Sequence, residues 1–79
     1  MKYFLVRATP ERRVREHAEP MTLRTCAIAT GYVLHDNANV SKGAAQEFSR
    51  QAEKFWEIDD ETMVSHESGY SFTLRKADE

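Results

Sequence analysis

The sequence predicts a single α+β domain in which two or three helices pack on a small three-stranded antiparallel sheet. Three observations lead there. The run Tyr3-Phe4-Leu5-Val6 opens the chain, apolar residues recur at helical spacing over residues 41–57, and Tyr70, Phe72 and Leu74 alternate with polar residues near the end. A chain of 79 residues has room for one domain.

The first strand is compact and apolar, bounded by Thr9-Pro10, and its composition suits a buried, central position in the sheet. Thr9-Pro10-Glu11 is a helix-start signal: a capping hydroxyl, a proline suited to the first helical position and an acid near the positive end. A short charged helix or ordered loop is therefore expected over residues 10–17. Only Val14 and Ala18 give it an apolar face, so it would lie on the surface and display Arg12, Arg13 and Arg15.

Residues 21–34 are open to two readings. As a helix, Leu23, Ala27 and Ile28 form one stripe and Gly31 is a left-handed stop. As a strand, the β-branched Thr22, Thr25, Ile28 and Thr30 would run on into Tyr32-Val33-Leu34. Asp36-Asn37-Ala38-Asn39 has turn composition. Ser41 then starts the clearest helix, whose stripe of Ala45, Phe48, Ala52, Phe55 and Trp56 leaves Lys42, Glu47, Arg50, Glu53 and Lys54 mostly outside. Of Phe55 and Trp56 only one can point fully inward, which makes the other an interface candidate.

Ile58 ends that helix, and Asp59-Asp60-Glu61 forms an acidic knuckle. Residues 62–66 and 70–75 follow as a hairpin around Glu67-Ser68-Gly69, and residues 76–79 as a polar tail. Large core formers are few, led by Phe4, Leu5, Val6, Leu23, Ile28, Val33, Leu34, Phe48, Phe55, Trp56, Phe72 and Leu74. A core of this size supplies roughly 3–5 kcal/mol net, for which self-association as a homodimer is one remedy.

Charge divides the chain. Residues 1–24 hold six basic side chains against three acids, whereas the remainder holds five against ten. The total of −2 and a pI near 5.9 exclude a uniformly basic nucleic-acid binder. Lone Cys26 cannot form an internal disulfide, and neither a cationic apolar leader nor a long apolar run is present, so the expectation is a cytoplasmic protein without membrane partners.

No complete catalytic constellation is legible. His17, His35, His66 and Cys26 are scattered without paired ligand spacing, so no metal or cofactor is expected. Cys26 lies among alanines and reads as a small buried hydrophobe in preference to a nucleophile. The three glycines are too widely spaced to cradle phosphate. Binding without catalysis is the expected activity, through one of two charged regions. The acids Glu53, Glu57, Asp59, Asp60 and Glu61 can meet a basic groove on a protein. Alternatively, Arg12, Arg13, Arg15 and Arg24 can track a nucleic-acid backbone while Tyr3 or Tyr32 stacks on a base.

Leu23-Arg24-Thr25-Cys26-Ala27-Ile28-Ala29-Thr30-Gly31-Tyr32 resembles the first half of a helix-turn-helix DNA-binding motif, with its small residue at Ala27 and glycine four positions later. His35-Asp36-Asn37-Ala38-Asn39 then stands where a recognition helix should begin. A longer connection to residue 41 resembles the C-terminal domain of actinobacterial xenogeneic silencers, with Asp36-Asn37-Ala38-Asn39 in place of their arginine-bearing loop. At the level of whole-chain architecture, the opening strand, internal helices, acidic segment and closing hairpin are similar to very small phage-encoded anti-CRISPR proteins. That resemblance implies a stoichiometric inhibitor that binds a Cas surveillance complex in the bacterial cytoplasm and blocks its engagement of DNA.

Overall fold

A computed structural model describes residues 1–77. Its elements are β1 (Tyr3–Ala8), β2 (Val14–Glu16), α1 (Leu23–Asn37), α2 (Lys42–Ile58), β3 (Val64–Ser65) and β4 (Ser71–Lys76). The strands form one antiparallel sheet in the order β2-β1-β4-β3, and both helices cover one of its faces. The α+β class and the internal position of β1 therefore hold, with a fourth strand added. The expected polar tail begins only after Lys76, the last residue of β4, and its final two residues lie outside the described residues.

Over residues 10–17, where the sequence predicts a short charged helix or ordered loop, the chain forms a turn and the added strand β2. The Arg12 amide donates to the Thr9 carbonyl at 2.8 Å and the Thr9 amide to Arg13 at 2.9 Å, while Arg12 adopts a left-handed φ of 66°. Pro10 thus takes the second position of a β-turn, where its restrained φ is as favourable as at a helix start. The Thr9 hydroxyl still accepts an amide, that of Arg13 at 3.1 Å. With almost no apolar face to bury as a helix, the segment gains more by pairing Arg15 with Arg7 along β1.

Residues 21–34 resolve as helix, and the helix is longer than its sequence signal. Thr22 caps α1 by accepting the Thr25 amide at 3.2 Å. Gly31 does not stop it: α1 continues to Asn37, whose side chain donates to the Val33 carbonyl at 2.9 Å. Gly31 serves a close approach instead. A Cβ there would collide with Ser49 Oγ and stand 2.9 Å from the Ala45 carbonyl oxygen, so α1 and α2 touch backbone to backbone. The turn that the helix-turn-helix likeness requires at this point is absent. The reversal comes at residues 38–41, with Asn39 left-handed at φ 56° and Ser41 capping α2.

Between sheet and helices, Leu5, Cys26, Leu34, Ala52, Trp56 and Phe72 are fully or almost fully buried. Phe48 meets Phe72 with ring centroids 5.9 Å apart, as their apolar faces require. The stripe expected on α1 shifts by one position, since Cys26, Ala27, Thr30, Val33 and Leu34 face inward whereas Ile28 is 44% exposed. Buried Thr30 is satisfied by donating to the Ala27 carbonyl at 2.6 Å.

Connectivity gives the molecule two ends. At one, Met21 pairs with Tyr3, and Asp60 accepts from the Tyr3 hydroxyl at 2.8 Å, which brings together the starts of β1 and α1 and the end of α2. At the other lie the turns at residues 9–13 and 66–69, where Gly69, at φ 101°, packs against Pro10.

Candidate functional site

The acidic residues gather at the first of these ends, though not as one patch. Glu53 and Glu57, four apart, occupy the flank of α2 that turns toward α1, and Glu53 lines the groove between the two helices. Asp59 and Glu61 are exposed in the turn beyond α2, where the Asp59 carboxylate accepts the Glu61 amide at 3.0 Å. Asp60 is occupied structurally. It holds the Tyr3 hydroxyl and lies 3.9 Å from Lys76 Nζ, and its hydrogen bond pushes the Tyr3 phenol above its ordinary pKa.

This arrangement concentrates negative potential. The last turn of α2 carries no basic residue, so its unpaired carbonyls and the surrounding carboxylates act in the same direction. Large apolar side chains occupy the other flank of the same helix end. Phe55 is 53% and Ile58 86% exposed, three apart on the flank away from α1, and Met63 is exposed just beyond the turn. Trp56 is buried instead, its indole N–H donating to the Thr62 carbonyl at 2.8 Å and tying the acidic turn to the helix. Phe55 is thus the outward member of the aromatic pair. Ile58 and Met63 were not marked as contact residues by their sequence, although Ile58 stands three positions beyond Phe55 and off the buried stripe.

The arginines do not form one surface. Arg12 and Arg13 project from the β1–β2 turn and Arg15 from the edge strand, all exposed, whereas Arg24 lies in the first turn of α1 at the opposite end of β1. The separation is about 20 Å, the length of a six-residue strand. Tyr3 is buried and unavailable for stacking on a base, while Tyr32 is exposed in the helical groove.

The remaining chemical candidates are dispersed. Cys26 is free and buried, its thiol pointing to the Tyr3 carbonyl at 3.7 Å, and burial raises its pKa to about 11, which opposes thiolate formation. His35 donates from Nδ1 to the Val40 carbonyl, and His66 Nδ1 accepts the Ser68 amide. Burial and the charge of Arg7 lower the pKa of His17. Among the described residues no three His, Cys, Asp or Glu side chains converge as metal ligands, and no helix is long and apolar enough to cross a membrane.

An open groove of about 740 Å³ runs between the outward flanks of α1 and α2, floored by Gly31, Ala45 and Ser49. Comparison with family models, curated proteins and solved structures finds no match for this chain.

Proposed function

We propose that this protein is a non-catalytic protein-binding inhibitor whose working surface is the C-terminal end of α2, and in its sharpest form an anti-CRISPR protein. The supporting observation is that exposed Ile58 and Met63 and the carboxylates of Asp59 and Glu61 share the negative pole of a helix, with Glu57 and exposed Phe55 on its two flanks. Carboxylates set on a rigid helix end can enter a basic channel built for phosphates, where they supply steering and orientation. The apolar residues supply the contact area that exposed charges alone do not. In the anti-CRISPR form the channel belongs to a Cas surveillance complex in the bacterial cytoplasm, and its occupation blocks DNA engagement.

The test is a pull-down of candidate Cas complexes with the parent and with the triple variant Glu57→Gln, Asp59→Asn, Glu61→Gln. Asp60 stays unchanged because it supports Tyr3. Capture by the parent and loss with the variant is the expected result. The competing reading is a small nucleic-acid-binding regulator. It would rest on Arg12, Arg13 and Arg15 of one hairpin, since Arg24 lies at the other end. Salt-sensitive binding of DNA or RNA that survives the acidic substitutions and fails with Arg12→Ala, Arg13→Ala would establish that reading instead.

A further inference from the structure

The outward face of the helix pair carries a charge and shape pattern that complements itself. Along α1, Arg24, Ile28, Tyr32 and Asp36 follow one another at four-residue intervals, forming a single ridge with opposite charges at its ends and two exposed apolar side chains between. Ile28 is 44% and Tyr32 67% exposed although the opposite face of the same helix is buried, so α1 is apolar on two sides. Along α2 the same groove is bounded by Lys42 near one end and Glu53 near the other. Because the two helices are antiparallel, Arg24 and Glu53 share one end of the groove and Asp36 and Lys42 share the other.

These charges run against the intrinsic preference of both helices. α1 has no acid in its first turn, where Arg24 stands, and its last turn holds Asp36 beside His35, whose Nδ1 is given to the Val40 carbonyl. α2 begins with Lys42, again without an acid in the first turn, and ends without a base. Each misplaced charge costs a few tenths of a kcal/mol by the helix-dipole effect. A local rule broken at three or more helix ends points to a compensating contact elsewhere.

We infer that the outward α1–α2 face is the interface of a symmetric homodimer, formed by a second copy of this chain laid face to face and antiparallel. A twofold axis crossing both helices sets Arg24 against Asp36 of the second copy, Ile28 against Tyr32 and Glu53 against Lys42, each contact occurring twice. One axis serves both helices. The midpoint between positions 24 and 36 is Thr30 and that between 42 and 53 lies at residues 47–48, and Gly31 packs on Ala45 and Ser49, which brings the two midpoints to one level. Arg50, also at the groove, is already paired with Glu47 at 2.6 Å and brings no unmatched charge. Opposed helix ends then also meet with opposite dipole signs.

The area suits a reversible dimer. Helices of 15 and 17 residues are about 22 and 25 Å long, and a pair is about 20 Å wide, a face on the order of 450 Å², below the roughly 800 Å² per partner of a standard interface. The arrangement does not depend on the function proposed above. It leaves Phe55 and Ile58 outside the contact and places the two acidic helix ends at opposite extremities, making the assembly bivalent.

Sedimentation of the full chain from about 1 μM to about 1 mM is the experiment, a span that covers weak and standard interfaces. A concentration-dependent dimer is expected. Arg24→Asp alone sets Asp against Asp at two places and should weaken association about tenfold or more, as should Asp36→Arg. The double variant Arg24→Asp, Asp36→Arg restores opposite charges across the same axis and should recover dimerisation. It follows the helix-dipole preference but also sets each new charge at the groove end of a like charge on α2, so circular dichroism of each variant is the control that separates lost association from lost fold. A chain that stays monomeric at the highest concentration overturns the inference, including the case where a different protein occupies the groove. A dimer that ignores the single substitutions, or one that the double variant does not rescue, overturns it equally.

Discussion

The two faces of the helix pair have opposite characters. Inward, Cys26, Ala27, Leu34, Ala52 and Trp56 are sealed against Leu5 and Phe72, and every buried side-chain nitrogen and oxygen among the described residues has a partner. Outward, Ile28 and Tyr32 stand in solvent between charges placed at the less favourable helix ends. On α2 the groove side is polar apart from the small Ala45, its exposed apolar residues Phe55 and Ile58 standing on the far flank, whereas α1 presents Ile28 and Tyr32 to the groove itself. The inner face reads as what holds the fold. The outer face adds little to the core of the monomer, and in the proposed homodimer it is the contact between copies.

The inner face is the place to look for the largest effects. Phe72→Ala should cost about 3–5 kcal/mol, comparable to the whole net stability of a domain this small, and abolish a cooperative urea transition. A variant that unfolds like the parent would remove Phe72 from the core. Next comes alkaline pH. Cys26 is raised from 9.0 to about 11, so the folded state holds its proton where the unfolded state releases it. Stability is therefore full below pH 9 and declines as pH rises through about 11, by roughly 2–3 kcal/mol for two pKa units. The raised pKa of Tyr3 acts in the same direction. In Cys26→Ala the decline between pH 9 and 11 should shrink, which denaturation curves at matched pH will show.

Where the faces meet, Gly31→Ala should destabilise by about 1–2 kcal/mol, because overpacking against the Ala45 carbonyl exceeds the gain in helix propensity. An increase in melting temperature would mean that the helices separate readily. The smallest effect belongs to the outer face. Tyr32→Ser should change the stability of the monomer by no more than about 0.5 kcal/mol at micromolar concentration, while reducing self-association. A large loss of stability in the monomer would erase the distinction between the faces.

Local chemistry made much of this legible. Ser41 and the spacing of Ala45, Phe48, Ala52 and Trp56 define α2 without reference to anything else, and the apolar opening run and the alternation ending at Leu74 define β1 and β4. Residues 10–17 were ambiguous for a physical reason: threonine and proline serve a β-turn as well as a helix cap, and a segment with two apolar residues takes whichever partner the fold presents. Gly31 was misread likewise, since a glycine that stops a helix and one that lets two helices touch have the same sequence signature. For the site, the sequence singled out the acids but could not divide them. Only the approach of β1 to the end of α2 commits Asp60 to Tyr3 and leaves Glu57, Asp59 and Glu61 in solvent.

By itself the sequence determined the class, the second helix, the closing hairpin and the burial of Cys26, because each follows from periodicity or capping within a few residues. Tertiary structure alone decided that the chain gains a fourth strand, that α1 runs on through Gly31, and that Arg24 parts from the other arginines to join Glu53 at one groove. Those outcomes rest on contacts between residues far apart in the chain, whose free energy exceeds local preferences of a few tenths of a kcal/mol and leaves no trace in any short window of sequence.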